Sequence, residues 1–547
     1  MQPLSMIEAS NIKFSLRATS NFSVLTMSVT LAPLIKQMQK PDFYPHLVRE
    51  PIQLRQTHAS FVLLTGDYAY KLKKSVNFGF LDFSTLAKRR HFLNEELRMN
   101  QAIAPDIYLE VLPITQAGDK FILGGMGEPR EYVLKMNQFP QENLLIEMFE
   151  RGTLTEAILE ELGKVVAQFH TQTIANDYIR SFGEIEKIKE AIDENYHQSQ
   201  KYIGIAQTQK QYQETKQFTD TFFLEKKDLF KQRQDNDKIR ECHGDLHLKN
   251  ICFWHNKIQL FDRIEFNESF RFVDVMYDVA FTVMDLDVRK RKDFSNIFLN
   301  TYLEQTGDWE GLQVLPLYLS RQAYVRAKVN SLLIDDPAIS EEDKQVAIQT
   351  AADYYRLAWE YTKTSKGQLI LMSGLSGSGK TTVAKQLAKQ INAIHLRSDA
   401  VRKHLAGISL SQRGPDELYT PQMSQKTYDR LLELAKMLVR QGFSVILDAK
   451  YDRQKWRESA IASARSNSIP LGIVYCSAPI EVLRDRISQR TKDISDATPD
   501  LLVHQQATAE PFSEREQAYV TTIDTSDPDW ISQLDFNLTV EEMLEAQ

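Results

Sequence analysis

Cysteine is scarce in this chain: Cys242, Cys252 and Cys476 are the only three among 547 residues. An odd count without metal-ligand spacing excludes a disulfide framework and a zinc site, and fits a reducing cytoplasm. Long apolar runs are missing too. No stretch reaches the roughly 18 apolar residues of a membrane span, so no membrane partner is expected. Positive charge is not in excess, with 66 Lys and Arg against 73 Asp and Glu and a formal net charge of −7. That balance argues against a broad footprint for nucleic acid or anionic lipid, leaving room only for a local basic groove. The first 26 residues have their apolar positions broken by Ser, Asn and Thr. They read as a disordered extension rather than a signal peptide, with Met27 as a second candidate start.

What is present is an ordinary folded composition, 42% hydrophobic and 25% charged. At roughly 100–200 residues per domain the chain should hold two to four compact units. Residues 54–74 read as two strands around the turn signal Thr65-Gly66-Asp67. Residues 83–103 carry Leu86, Leu93, Leu97 and Ile103 at near-helical spacing behind Ser84, a suitable cap. Strand text follows in "IYLEVLPI", "KFILGG" and "EYVLKMNQF", and from Thr155 to about Tyr361 the pattern is mostly helical. The polar segment "YTKTSKGQ" then separates this block from short apolar runs, "LILM", "AIHL", "SVILD" and "LGIVYC", alternating with helices. Such runs predict a doubly wound parallel sheet covered on both faces. The expected division is 1–26 extension, 27–361 first domain and 362–547 second domain.

"GLSGSGKTT" places Gly374, Leu375, Ser376, Gly377, Ser378, Gly379, Lys380, Thr381 and Thr382 between an apolar strand and an amphipathic helix. This is the G-x-x-x-x-G-K-[ST] phosphate cradle. Its backbone N–H groups close on phosphate oxygens, Lys380 supplies charge to the β- and γ-phosphates of ATP, and Thr381 can hold Mg²⁺. Asp399 and Arg402 follow the second apolar run, where one can accept a hydroxyl proton and the other orient the substrate. Asp399 could equally cap the helix. Asp448 ends "VILD", a position suited to Mg²⁺ or its water shell. Arg486 and Arg490 lie four apart on one helix face, as a charge-neutralising lid or a solvated face would. On these motifs the 365–547 segment resembles the P-loop kinases of the gluconate-kinase, zeta-toxin and polynucleotide-kinase group. "IDTS" at 523–526 resembles their adenine-covering loop.

"HGDLHLKN" with "LFD" after it, residues 243–262, resembles the aminoglycoside and choline phosphotransferase branch of kinase-like folds. The resemblance implies a two-lobed kinase-like domain, α+β beside the α/β of the second, with a hinge near Met136 to Pro140. It also implies Asp245 as base at the acceptor hydroxyl, Asn250 and Asp262 as Mg²⁺ ligands, and His243 as a brace. One carboxylate for the hydroxyl and two oxygen ligands for a hard cation suit phosphoryl transfer. Lys71 is the candidate for the ATP α- and β-phosphates, with Lys73 the alternative on the same strand face; Glu96 is its expected partner and Glu95 the second choice. The strict G-x-G-x-x-G loop of protein kinases is absent upstream. The whole order resembles bacterial fusions of an aminoglycoside-phosphotransferase-like domain with a P-loop domain. The expectation is an ATP-dependent kinase with two Mg-ATP sites and a small-molecule hydroxyl acceptor. Less favoured are a polynucleotide-end or toxin-like kinase restrained by the first domain, and a non-enzymatic ATP-binding or ATPase switch.

Overall fold

The computed structural model describes residues 31–533 apart from 338 and 490–493. The expected extension, the alternative start at Met27 and Arg490 all lie outside the described residues. The chain forms two compact units. One comprises the chain up to Thr155, Gln172–Val288 and Leu317–Thr362; the other comprises Glu156–Thr171, Arg289–Pro316 and the chain from Lys363.

The first unit opens with six strands: β1 (Gln53–Gln56), β2 (Ser60–Leu64), β3 (Tyr68–Lys73), β4 (Tyr108–Ala117), β5 (Lys120–Leu123) and β6 (Glu131–Asn137). They pair antiparallel throughout in the order β1-β2-β3-β6-β4-β5. The turn at Thr65-Gly66-Asp67 joins β2 to β3, with Leu64 opposite Ala69. The text expected to give two strands gives three, because "THA" turns the chain once more without glycine or proline. Helix Leu86–Gln101 is capped by Thr85, whose hydroxyl accepts the Lys88 N–H; Ser84 instead bonds Asp82. Leu93 and Glu96, three apart and so on one helix face, are both fully buried. Leu93 packs with Ile107, Tyr108, Leu134 and Cys252.

Four short strands follow: β7 (Ile239–Glu241), β8 (Ile251–Trp254), β9 (Lys257–Leu260) and β10 (Phe272–Asp274). β8 and β9 form a hairpin that delivers Asp262 just beyond β9, and residues 243–250 span the gap between β7 and β8. Helix Val275–Asp287 is buried along almost its whole length, yet it carries Asp278 and Asp285. Both carboxylates accept N–H groups from the 243–250 segment.

The second unit is built on a fully parallel sheet of β11 (Leu369–Ser373), β12 (Ile394–Arg397), β13 (Val445–Asp448), β14 (Leu471–Ser477) and β15 (Val520–Asp524). The order is β12-β13-β11-β14-β15. The four apolar runs are β11 to β14, and β11 is buried at every residue, as a strand covered on both faces must be. The chain fills one side of β11 with β12 and β13, then the other with β14 and β15, so the crevice at a reversal of strand order lies at the carboxyl end of β11. Two helices from earlier in the chain belong to this unit. Glu156 and Glu160 of helix Glu156–Gln172 pair with Lys389 and Lys385 on helix Lys380–Ile391, and helix Lys292–Thr306 lies along β12. Among the described residues no helix is long and apolar enough to cross a membrane.

Candidate functional site

In the second unit the segment between β11 and helix Lys380–Ile391 is the glycine-rich loop. Gly379, at φ +83°, is the helix N-cap, a left-handed conformation that glycine adopts without steric cost. A cavity of about 1340 Å³ opens there, lined by Lys380, Thr381, Asp399, Arg402, Asp448 and Arg486 among others. The Lys380 ammonium donates to the Leu375 carbonyl at 2.7 Å across the loop. Burial pushes its pKa below the ordinary lysine value, and Asp448 and Asp399 offset this only partly. A partly buried cation of this kind is a receptor for an anion.

The Thr381 hydroxyl donates to Asp448 Oδ2 at 2.7 Å, and His395 Nε2 donates to the same oxygen at 3.1 Å. Burial alone would raise the Asp448 carboxyl; the His395 contact, with Arg397 and Lys380 nearby, holds it at about 2. A hydroxyl and an ionised carboxylate, both oxygen donors, fit a small hard cation. Asp399 is the second residue of helix Ser398–Leu405 rather than its cap, and its Oδ1 accepts from Arg402 at 3.0 Å. The Arg402 Nε is buried without a partner. Arg486 donates to Thr525 and the Gly377 carbonyl, so "IDTS" sits against the loop. Gln505, which no pattern announced, grips Ser376 through both its amide atoms, 3.1 Å each way. His395 was also missed, although it shares a strand face with Arg397, two residues on.

In the first unit Lys71 Nζ donates to Glu96 Oε1 and to Asp262 Oδ1, each at 2.6 Å. Lys73 Nζ donates to Glu96 Oε2 at 2.8 Å and to Glu265. Both lysine alternatives therefore meet one glutamate. Burial would raise the Glu96 carboxyl, but the two ammonium groups hold it at about 2. Glu95 faces outward and pairs with Arg98. Asp262 has φ +63°, a backbone strain uncommon outside glycine and typical of functional positions, and its N–H is held by the Tyr108 hydroxyl.

His243 is buried between two backbone partners that fix its tautomer: Nδ1 accepts the Asp245 N–H at 3.3 Å and Nε2 donates to the Phe261 carbonyl at 2.9 Å. Burial lowers its pKa, so it is a neutral brace. The Phe261 N–H in turn bonds the Asn250 carbonyl at 3.0 Å, which ties residues 243–250 to the segment bearing Asp262. Gly244 sits at φ +87°, where a Cβ would lie 2.5 Å from the Phe270 carbonyl oxygen. Asn250 Nδ2 donates to the Asp245 backbone at 3.0 Å and to its carboxylate at 3.2 Å. Burial would raise the Asp245 carboxyl; His247, 3.3 Å away, and then Arg326 bring it down to about 2.

Two outcomes follow from these charges. Glu96→Ala leaves Lys71 with Asp262 alone and Lys73 with Glu265 alone, and losing one partner of such a buried network costs about 3–5 kcal/mol. The urea midpoint of the transition in which the first unit unfolds should fall accordingly; an unchanged midpoint would contradict the network. Asp245 and Asp448, held at about 2 in the fold against about 4 in an unfolded chain, stabilise it above that higher value. Their contribution is lost as pH falls from about 4 towards 2. Alanine at either position should flatten the acid limb of a stability–pH profile, and an unaltered limb would show that the carboxyl is not held down.

An AAA domain family model matches residues 369–512. Over 464 residues, 84% of this chain and 90% of the relative, the sequence is 28% identical to "Uncharacterized protein Rv2004c" of Mycobacterium tuberculosis. It is also 28% identical over 145 residues to a guanylate kinase of Rickettsia prowazekii, covering 24% of this chain and 70% of that protein. Among solved structures, a sugar kinase from Janibacter sp. HTCC2649 aligns at 23% identity and a TM-score of 0.25, over 32% of this chain and 95% of its own.

Proposed function

We propose that the chain is an ATP-dependent phosphotransferase with a Mg-ATP site in each compact unit, acting on small-molecule hydroxyl groups. The observation that carries this reading is the second unit's cavity, which presents Lys380 and the Thr381–Asp448 pair together with the Asp399–Arg402 pair. A nucleotide switch needs the phosphate cradle; it does not need a carboxylate and an arginine on the acceptor side. The AAA domain match over 369–512 and the similarity to a guanylate kinase support phosphate chemistry in this unit.

In the second unit the acceptor hydroxyl oxygen attacks the γ-phosphorus, its bond to the β–γ bridging oxygen breaks, and Asp399 takes the hydroxyl proton. Lys380 and Arg486 offset charge on the transferring group. In the first unit Asp245 takes the proton, Lys71 holds the α- and β-phosphates, and Glu96 keeps Lys71 in place. Mg²⁺, held by Thr381 and Asp448 in one site and by Asn250 and Asp262 in the other, would neutralise phosphate charge. The Lys71 ammonium has three donors, of which Glu96 and Asp262 take two, so one remains for a phosphate oxygen.

The test is γ-labelled ATP with a metabolite extract, followed by fractionation of the labelled products. Label in a small polar compound is expected. Label only in free phosphate would favour an ATPase or switch, and label on RNA or DNA ends would favour a polynucleotide kinase.

A further inference from the structure

β12 is an edge strand. Its Ile394 N–H points inward to the Ser444 carbonyl, so the backbone groups of residues 393 and 395 point outward, where among the described residues no strand lies. Two of those groups, the Ala393 carbonyl and the His395 N–H, are nonetheless paired. Asn300 Nδ2 donates to the Ala393 carbonyl at 3.0 Å, and Asn300 Oδ1 accepts the His395 N–H at 2.8 Å. A carboxamide carries the donor and acceptor of a peptide group, so one side chain supplies what a neighbouring strand would. Asn296, one turn earlier on helix Lys292–Thr306, adds a second donor to Ala393 at 2.9 Å and braces Asn300 at 3.0 Å. Glu304, one turn later, reaches Arg397 at 3.5 Å. The spacing 296, 300, 304 on the helix thus meets 393, 395, 397 on the strand.

The strand so held carries His395 and Arg397 on one face, and the register sets Arg397 beside Asp448 with His395 diagonal to it. His395 Nε2 lies 3.1 Å and Arg397 Nε 3.9 Å from Asp448 Oδ2, the oxygen that Thr381 also bonds. We infer that Asn300 and His395 are positioning residues of the P-loop site: the helix grips the edge of β12, and the grip holds the imidazole that orients Asp448. A helix laid over a strand edge also blocks edge-to-edge aggregation, but that duty needs no side chain on Asp448. Asn300 lies 69 residues before β11, outside the matched segment 369–512.

The inference rests on reading Thr381 and Asp448 as the metal pair. The experiment measures, on the full chain, the Mg²⁺ dependence of that part of the bound nonhydrolysable ATP analogue which Lys380→Ala removes. Outer partners of metal ligands are worth about 10- to 100-fold in metal affinity. Asn300→Ala and His395→Leu should each raise the Mg²⁺ midpoint about tenfold or more, while Mg²⁺-free affinity for the analogue stays within about twofold. His395→Gln, whose amide nitrogen can replace Nε2, should restore the midpoint to within about threefold. A midpoint unmoved in Asn300→Ala and His395→Leu overturns the inference, and so does an equal rise in His395→Gln and His395→Leu. If Asn300→Ala fails to fold, the His395 pair decides. Should Lys380→Ala remove no analogue at all, the metal-pair reading itself falls.

Discussion

Lys380→Ala is expected to lower nucleotide affinity at the P-loop site by roughly 30- to 4000-fold, the equivalent of the about 2–5 kcal/mol lost when one partner of a buried charge pair is truncated. The ammonium is partly buried and its bond is to a neutral carbonyl of the same loop, so its charge is not spent on a carboxylate. Alanine leaves the backbone donors but removes the one cation fixed inside the loop. Isothermal titration of the full chain should lose its P-loop component. An isolated 363–547 fragment would be a poor substitute, because it lacks the two helices that the second unit draws from earlier in the chain. Unchanged affinity in the variant would remove the P-loop from the account of nucleotide binding.

Asp245→Ala should slow transfer at the first site by about 10²–10⁴, the range for losing a positioned acid or base, with nucleotide still bound. The carboxylate is held ionised by His247 and Arg326, and Asn250 bonds both its backbone and its side chain. It is therefore in the unprotonated form that a base needs, and it lies on a different segment from the Lys71–Asp262 pair. Single-turnover rates measured beside nucleotide affinity distinguish the roles. If the variant loses affinity for ATP and Mg²⁺ but keeps its single-turnover rate, the duties assigned to Asp245 and Asp262 are exchanged.

Local signals announced much of this. The apolar runs that became β11 to β14 are legible because strands buried on both faces cannot alternate. The P-loop is legible because its glycines, lysine and threonine occupy consecutive positions. Lys71, Glu96 and Asp262 came from spacing and resemblance, and the structure brings both carboxylates within hydrogen-bond distance of the Lys71 ammonium. The choice between Lys71 and Lys73 was not legible, since residues two apart on a strand share a face and Glu96 has an oxygen for each. β15 does not figure among the apolar runs, because "VTTID" is too polar to stand out as a buried strand, and "IDTS", the adenine-loop candidate, begins in its last two residues. Least legible was the make-up of the second unit. Asn296, Asn300 and Glu304 look like an ordinary polar helix face until the edge of β12 is beside them, and no periodicity reports a partner 93 residues away. Gln505 and His395 were missed for the same reason.

Equilibrium dialysis with a nonhydrolysable ATP analogue and Mg²⁺, run on the full chain, on Lys380→Ala and on Asn250→Ala with Asp262→Ala, tests the central claim of two separate nucleotide sites. The expected stoichiometries are two, one and one. A wild-type value of one that either lesion abolishes would mean a single shared site, and a value of one that only Lys380→Ala removes would mean that the first unit binds no nucleotide.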